Sequence, residues 1–413
     1  MKRSTRGSAD APPANLLRGA RVTALPPVEA RGTRIPAYTG ELWTARQRQA
    51  SRLHEIAYRA CFKAQLPAYF IERLTKPGDR VYDPFSGRGT TAIEAALHGR
   101  REAANDVNPL ARLLVYPRLA APPLDAIEAR LATIPWSRKV AATRDLSMFY
   151  QRDTLRELLA LRHYLATRAR QQTADATDGW IRMVATNRLT GHSPGFFSVY
   201  TLPPNQAVAP ADQQRINRRL RQQPEYRDVA ALILRKSRVM QNGLAPAMRT
   251  QLQAAGGDAL LLTGPAAATP AIKSGSVRLT VTSPPFLDVV NYAHDNWLRC
   301  WFNGLDAKKV GRGITMSRTV ADWQVAMQPV FAELYRVTAR DGWLAFEVGE
   351  VRKGAIRLEE HVIPLGLAAG FECAAVLINQ QRFTKTANIW GVANNRLGTN
   401  SNRIVVFRKR SVA

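Results

Sequence analysis

The chain has 413 residues, 46% of them apolar, which is enough to build one large domain or two ordinary ones and excludes wholesale disorder. There is no run of about 18 apolar residues, and no apolar stretch follows the basic start (Lys2, Arg3, Arg6). The chain is therefore expected in the cytoplasm, with no membrane partner and no signal peptide. Lysine and arginine number 59 against 32 acids, a formal charge of +27 that attracts polyanions, nucleic acid being the commonest.

Residues 1–40 are rich in Arg, Ala, Pro and Gly without a sustained period and read as a flexible basic arm. Helical patterning runs over 41–62, and a further helix over 68–74 ends at the turn Lys76-Pro77-Gly78-Asp79. A short strand, 80–83, leads through a glycine-bearing turn into a helix, 92–98, that Gly99 stops, and then a second strand near 102–104. Strand, turn, helix, strand is one βαβ unit and calls for a parallel sheet.

From about 120 to 250 the rhythm breaks. Arg- and Gln-rich helical segments (152–170 and 213–223) flank an aromatic, turn-rich stretch, 191–205. Alternation then resumes with a strand at 276–281, helices at 323–338 and 359–369, and strands at 343–348, 372–377 and 403–407. One α/β sheet with an insertion accounts for this order. The cysteines Cys61, Cys300 and Cys373 lie far apart without metal-ligand spacing, so no metal site or disulfide is expected and buried thiols are.

Two motifs carry chemistry. The first is Asp83-Pro84-Phe85-Ser86-Gly87-Arg88-Gly89-Thr90-Thr91, between a strand and a helix. Gly87 and Gly89 allow close passage of backbone to a ligand, and the helix start offers unpaired N–H groups. Asp106 ends the next strand, where a carboxylate can accept hydrogen bonds from ribose hydroxyls. The second motif, Thr282-Ser283-Pro284-Pro285-Phe286, also follows a strand. The Ser283 hydroxyl and Pro284 carbonyl can hold an amine, Pro284 and Pro285 pre-set the backbone, and Phe286 offers a flat face to a base. Of the residues just past it, Trp297 and Trp301 stand at helical spacing and read as core, while His294 stays open between core and pocket.

The string Asp-Pro-Phe-x-Gly-x-Gly-Thr-Thr resembles the cofactor loop of the amino-group (cytosine-N4 and adenine-N6) DNA methyltransferases, and Ser-Pro-Pro-Phe resembles the catalytic motif of their cytosine-N4 branch. The resemblance implies a Rossmann-like class I methyltransferase sheet of α/β class, with a largely helical inserted recognition subdomain. It also implies S-adenosylmethionine as cofactor. Asp83, Phe85, Gly87 and Gly89 would line its methionine and ribose side, and Thr90 and Thr91 would help hold its carboxylate. Tyr58, Arg59, Phe62 and Pro67 stand where a preceding element would close over the methionine end. Asp258, in Gly256-Gly257-Asp258-Ala259, would contact the adenine amine from the end of the third strand, although a plain loop Asp fits as well. No Cys follows a Pro, which disfavours the cytosine position-5 branch.

The implied divisions are an N-terminal arm (1–40), a cofactor-binding half (41–120), an inserted DNA-recognition subdomain (121–250) and a catalytic half (251–413). Within the insert, Arg215, Arg218, Arg219, Arg235 and Lys236 are candidates for phosphate contact, a solvated helix face being the alternative. The insert's Leu202-Pro203-Pro204-Asn205-Gln206 is similar to strings in DNA methylases. The expected reaction is site-specific methylation of cytosine N4 in duplex DNA after base flipping. A cognate restriction endonuclease could accompany the enzyme. Adenine N6 or RNA as acceptor, and a non-catalytic DNA binder, are the alternatives.

Overall fold

The computed structural model describes residues 15–43, 50–59, 61–202, 207–285, 292–314, 317–348, 357–380 and 401–410, and the statements below concern these. Nine strands form one sheet: β1 (Val22–Ala30), β2 (Thr33–Gly40), β3 (Arg80–Asp83), β4 (Arg101–Asp106), β5 (Leu260–Thr263), β6 (Val277–Thr282), β7 (Thr338–Val348), β8 (Glu372–Gln380) and β9 (Ser401–Arg408). Their order is β1-β2-β8-β9-β7-β6-β3-β4-β5. From β5 to β8 all neighbours run parallel except β9, which is antiparallel to both β7 and β8. Numbered along that core, the order is third, second, first, fourth, fifth, seventh, sixth. This is the Rossmann-like class I methyltransferase sheet.

Alternation along the strands sends side chains to two covered faces. Leu344, Phe346 and Val348 of β7 join Phe331 and Val362 of α13 (Val320–Val337) and α14 (Leu358–Ala368) on one face. Trp343 and Ala345 point the other way, toward Phe70 and Ile71 of α1 (Gln65–Leu74). Beside α1 lie α2 (Thr90–Leu97) and α3 (Leu110–Leu119). The chain between β4 and β5 is helical after α3: α4 (Leu124–Thr133), α5 (Arg152–Arg170), α6 (Ala176–Arg188), α7 (Pro210–Leu220), α8 (Val229–Gln241) and α9 (Pro246–Gly257). Leu158, Trp180 and Ile233 of these helices share one apolar cluster with Ala92 and Leu114. The insert is thus fused to the sheet's helical layer and has no separate core of its own. Among the described residues no helix is long and apolar enough to cross a membrane.

Two sequence expectations are corrected. The stretch 1–40 is not an arm throughout, because β1 and β2 form a hairpin whose second strand pairs with β8, Ala37 opposite Val376. Burial of Ile35 and Ala37 drives this, and the hairpin covers an edge that β8 would otherwise leave open. Its turn, Arg31-Gly32, has positive φ at both residues, as a two-residue hairpin turn of this hand requires. The helix read over 41–62 is absent from its described part, where only a 3-10 turn, Arg52–His54, forms.

Glu102 of β4 is fully buried and both its carboxylate oxygens lack a hydrogen-bond partner. Burial pushes its pKa up to about 8, against the pull of Arg80. In the unfolded chain the group ionises near 4.5, so its contribution to stability is full below that pH and is lost as pH rises through 8. Glu102→Gln is therefore expected to gain stability over the natural chain at pH 9 and to lose that advantage at pH 5, as read from urea melts. Equal differences at both pH values would contradict this account.

Candidate active site

In an open parallel sheet, ligands bind at the carboxyl ends of the strands, where the chain reverses its direction of travel across the sheet. Here that point lies between β3 and β6, and both sequence motifs leave the sheet there. Asp83 ends β3, and its carboxylate accepts hydrogen bonds from the Thr282 hydroxyl of β6 (2.7 Å) and the Phe85 N–H (3.1 Å). Burial lifts the Asp83 pKa to about 7 against these bonds. The Thr91 hydroxyl donates to the Val281 carbonyl (3.1 Å) and ties the first turn of α2 to the same strand.

The loop between β3 and α2 is shaped by its glycines. Gly87 has φ +50° and donates its N–H to Asp106 Oδ2 at 2.8 Å. Gly89 has φ +76°, and a Cβ placed there would stand 2.2 Å from Val115 Cγ2 on α3. Asp106 also accepts from the Asn108 N–H (2.8 Å), and burial raises its pKa. Each carboxylate oxygen has a second lone pair, so it can still accept from a ligand.

Opposite this loop runs the segment 52–62, held by three arginines. Arg88 donates to the carbonyls of Ile56 (2.8 Å), His54 (3.3 Å) and Phe62 (3.3 Å). Arg118, fully buried, donates to the carbonyls of Leu53 (3.1 Å), Leu114 (2.8 Å) and Arg88. Arg299 of α11 (Trp297–Phe302) takes the Ala57 carbonyl at 3.0 Å. These bonds give donors to the carbonyls of a segment whose helical pattern does not become a helix.

Loop and segment enclose a cavity with about 900 Å³ of space, its open mouth included. Tyr58, Arg59, Phe85, Gly87, Asp106 and Ser283 line it, as does Pro285, whose carbonyl accepts from the buried Trp323 indole at 3.0 Å. Ser283 stands beside Glu347 at the end of β7, and its hydroxyl draws the Glu347 pKa down against burial. Glu347 is buried, which raises its pKa, and it also accepts from Asn402 Nδ2 at 3.1 Å. The paired β6 and β7, Thr282 opposite Phe346, bring Ser283 and Glu347 together.

Other anticipated residues lie elsewhere. Asp83, Gly89, Thr90 and Thr91 sit behind the loop: Asp83 and Thr91 brace it, Thr90 accepts from Arg88, and Gly89 packs on Val115. Phe62 packs in the cluster that contains Phe70 and Trp343. Asp258 is at the wrong end of its strand, because α9 runs to Gly257 and Asp258 precedes β5, near Arg80 and Glu102. The cavity is lined instead by Gly264, Pro265 and Ala266, past the other end of β5. Phe286 lies outside the described residues, as do residues 203–206. Arg215, Arg218, Arg219 and Arg235 are exposed. Lys236 is not available in the same way, since its ammonium pairs with Glu55 at 2.9 Å and is mostly buried.

Sequence reasoning passed over Arg88, Cys61 and Glu347. Cys61 lines the cavity, whereas Cys300 and Cys373 are buried. The only available signal for Glu347 was an acid inside the apolar run Leu344-Ala345-Phe346-Glu347-Val348. Replacing Arg88 by Met should free the segment at modest cost to the sheet. Trypsin is expected to cut after Arg52, Arg59 or Lys63 in Arg88→Met while sparing these bonds in the natural chain. Equal resistance would show that the clamp is not what holds them.

Residues 28–114 match the family model described as DNA methylase (N6/N4). The Type II methyltransferase M.MvaI of Kocuria varians is 36% identical over 80 residues, which are 19% of this chain and 17% of that protein. The chain thus matches less than a fifth of that relative's length. Among solved structures, a SAM-dependent methyltransferase from Methanosarcina mazei is 10% identical over 83% of this chain and 98% of its own, with a TM-score of 0.33. The rRNA methyltransferase AviRa of Streptomyces viridochromogenes is 13% identical over 89% and 92%, with a TM-score of 0.32. The fold is established by the strand order itself. The family match thus falls on the loop-bearing stretch, about a fifth of the chain, and the sheet around it has the strand order of the class I methyltransferases.

Proposed function

We propose that the protein uses S-adenosylmethionine to methylate the N4 amine of cytosine at a specific site in duplex DNA, the target base being flipped out of the helix. The observation that carries this reading is the placing of Ser283 beside Glu347 at the wall of the cavity that Gly87 and Asp106 shape. The residues present fit the cofactor. Asp106 has acceptor capacity for ribose hydroxyls, Phe85, Ala266 and Met327 offer apolar wall, and Tyr58 and Arg59 close the side opposite the loop. When bound, S-adenosylmethionine supplies an electrophilic methyl group on a sulfonium.

An exocyclic amine is a poor nucleophile, since its lone pair is delocalised into the base. Acceptors that take its hydrogens turn that lone pair toward the methyl donor. With its hydroxyl hydrogen turned to the neighbouring Glu347 carboxylate, Ser283 would leave the lone pairs of its oxygen to accept from the amine. The Pro284 carbonyl is the second acceptor. Once the nitrogen is methylated, its surplus proton can pass to Ser283 Oγ while the Ser283 proton moves to the Glu347 carboxylate. Positioning and electrostatics supply most of the acceleration. Serine at 283, in place of the Asp or Asn of most adenine enzymes, favours cytosine; adenine N6 is the second reading on the same site. Exposed cations of the insert, among them Arg215, Arg218, Arg219 and Arg235, are the proposed phosphate contacts.

Ser283→Ala is expected to lower turnover roughly a hundredfold with little change in S-adenosylmethionine affinity. If affinity fell in step with turnover, the role given to Ser283 would be wrong. Glu347 must be ionised to act, and its raised pKa places the acidic limb of the rate profile above that of an ordinary glutamate. Glu347→Gln should lower the plateau and abolish that limb, as followed by methyl incorporation into duplex DNA between pH 4.5 and 9. A limb that survives the substitution belongs to another group.

A further inference from the structure

A second cavity, with about 960 Å³ of space including its mouth, opens between α5, α11 and α12 (Ala307–Gly313). Its walls are two indoles, three cations and one carboxylate: Trp297, Trp301, Arg144, Arg162, Lys308 and Asp306. Trp297 and Trp301 are four residues apart and share one face of α11. Arg299, between them, points from the opposite face into the segment that walls the catalytic cavity, where it holds the Ala57 carbonyl. One short helix therefore separates the two cavities.

The second cavity is built ahead of any ligand. The Trp297 indole N–H donates to the Val208 carbonyl at 3.1 Å, and its ring lies 6.1 Å from that of Phe149. Arg162 donates to the Trp301 carbonyl at 3.0 Å, and its guanidinium carbon stands 5.2 Å from the Trp301 ring centre. The Arg144 guanidinium carbon is 5.9 Å from the Trp297 ring centre. The one carboxylate is engaged, since Asp306 accepts from the N–H groups of Lys308 (2.8 Å) and Lys309 (3.2 Å) and caps α12. Aromatic faces interleaved with arginine and lysine are the equipment for a nucleotide: indoles stack with a base, and cations take the phosphates on either side.

The placement suits a particular nucleotide. Lys308 lines this cavity near the start of α12, and Gly313, which ends the helix, lines the catalytic one. At about 1.5 Å rise per residue the two positions are roughly 8 Å apart, a span of one or two nucleotides along a strand. We infer that this cavity seats a nucleotide of the DNA strand close to the target, with its base against Trp297 and its phosphates on Arg144 and Lys308. This rests on the proposed DNA methyltransferase function and adds a second point at which the strand is held.

The test uses the full chain with Arg144→Glu and Lys308→Glu together, both exposed positions, and a fluorescently labelled duplex of mixed sequence. Anisotropy titrations at several salt concentrations are expected to show at least tenfold weaker binding and a salt slope smaller by about two, one for each phosphate that is no longer neutralised. Arg21→Glu with Arg34→Glu, at exposed positions just before β1 and in β2, makes the same change in net charge and should cost clearly less. Trp297→Phe should also weaken DNA binding while leaving S-adenosylmethionine affinity, read by calorimetry, in place. Equal losses from the two charge-reversed pairs would reduce the cavity to bulk charge and overturn the proposal. A natural chain that binds and methylates DNA, with variants that bind as well as it does, would overturn the seat alone. A natural chain that methylates no DNA would overturn the function beneath it.

Discussion

The site depends on buried guanidinium groups bonded to backbone carbonyls. Arg88 and Arg118 hold the carbonyls of Leu53, His54, Ile56 and Phe62 from the sheet side, and Arg299 holds Ala57 from α11. A guanidinium taken out of water is costly unless its donors are satisfied, and carbonyls of an irregular segment need donors for the same reason. Each requirement meets the other here. The cost of burial remains visible in Arg118, whose pKa falls to about 9. The result is an irregular segment with its carbonyls satisfied, and Tyr58, Arg59 and Cys61 project from it over the cavity.

Buried polar pairs also join the two halves of the site. Asp83 and Thr282 fasten the ends of β3 and β6, and Glu347 and Asn402 fasten β7 to β9. All four groups are partly or wholly withdrawn from water, so each hydrogen bond is strong and each broken one would leave a polar group stranded. Precision at the Ser-Pro-Pro turn follows from these bonds and from the Trp323 indole on the Pro285 carbonyl. Under the proposed function, an amine held there would meet acceptors that need no reorganisation, the condition under which electrostatic positioning accelerates a reaction.

Much of this was legible in the residues. The βαβ unit, the glycine loop, Asp106 and the Ser-Pro-Pro turn were all readable because local pattern and global fold agree there. The helix over 152–170 agrees to the residue with α5. What could not be read is what tertiary contact decides. The hairpin β1–β2 lacked the Asn-Gly or Asp-Gly turn that would have announced it, and its burial depends on an edge more than 330 residues away, at β8. The helical pattern over 41–62 gives way, in its described part, to an irregular segment whose carbonyls are met by arginines distant in sequence. Asp258 suited the expected motif by type and spacing, yet the strand it adjoins begins rather than ends there. Glu347 was hidden in an apolar strand, and only the pairing of β7 with β6 and β9 sets it beside Ser283 and Asn402.

Incubation of the protein with S-adenosylmethionine and mixed-sequence duplex DNA, followed by digestion to nucleosides and mass spectrometry, tests the central claim most directly. The account predicts N4-methylcytosine. N6-methyladenine would keep the site and its mechanism and contradict the reading of Ser283 as a mark of cytosine. No methylated nucleoside would contradict the account as a whole.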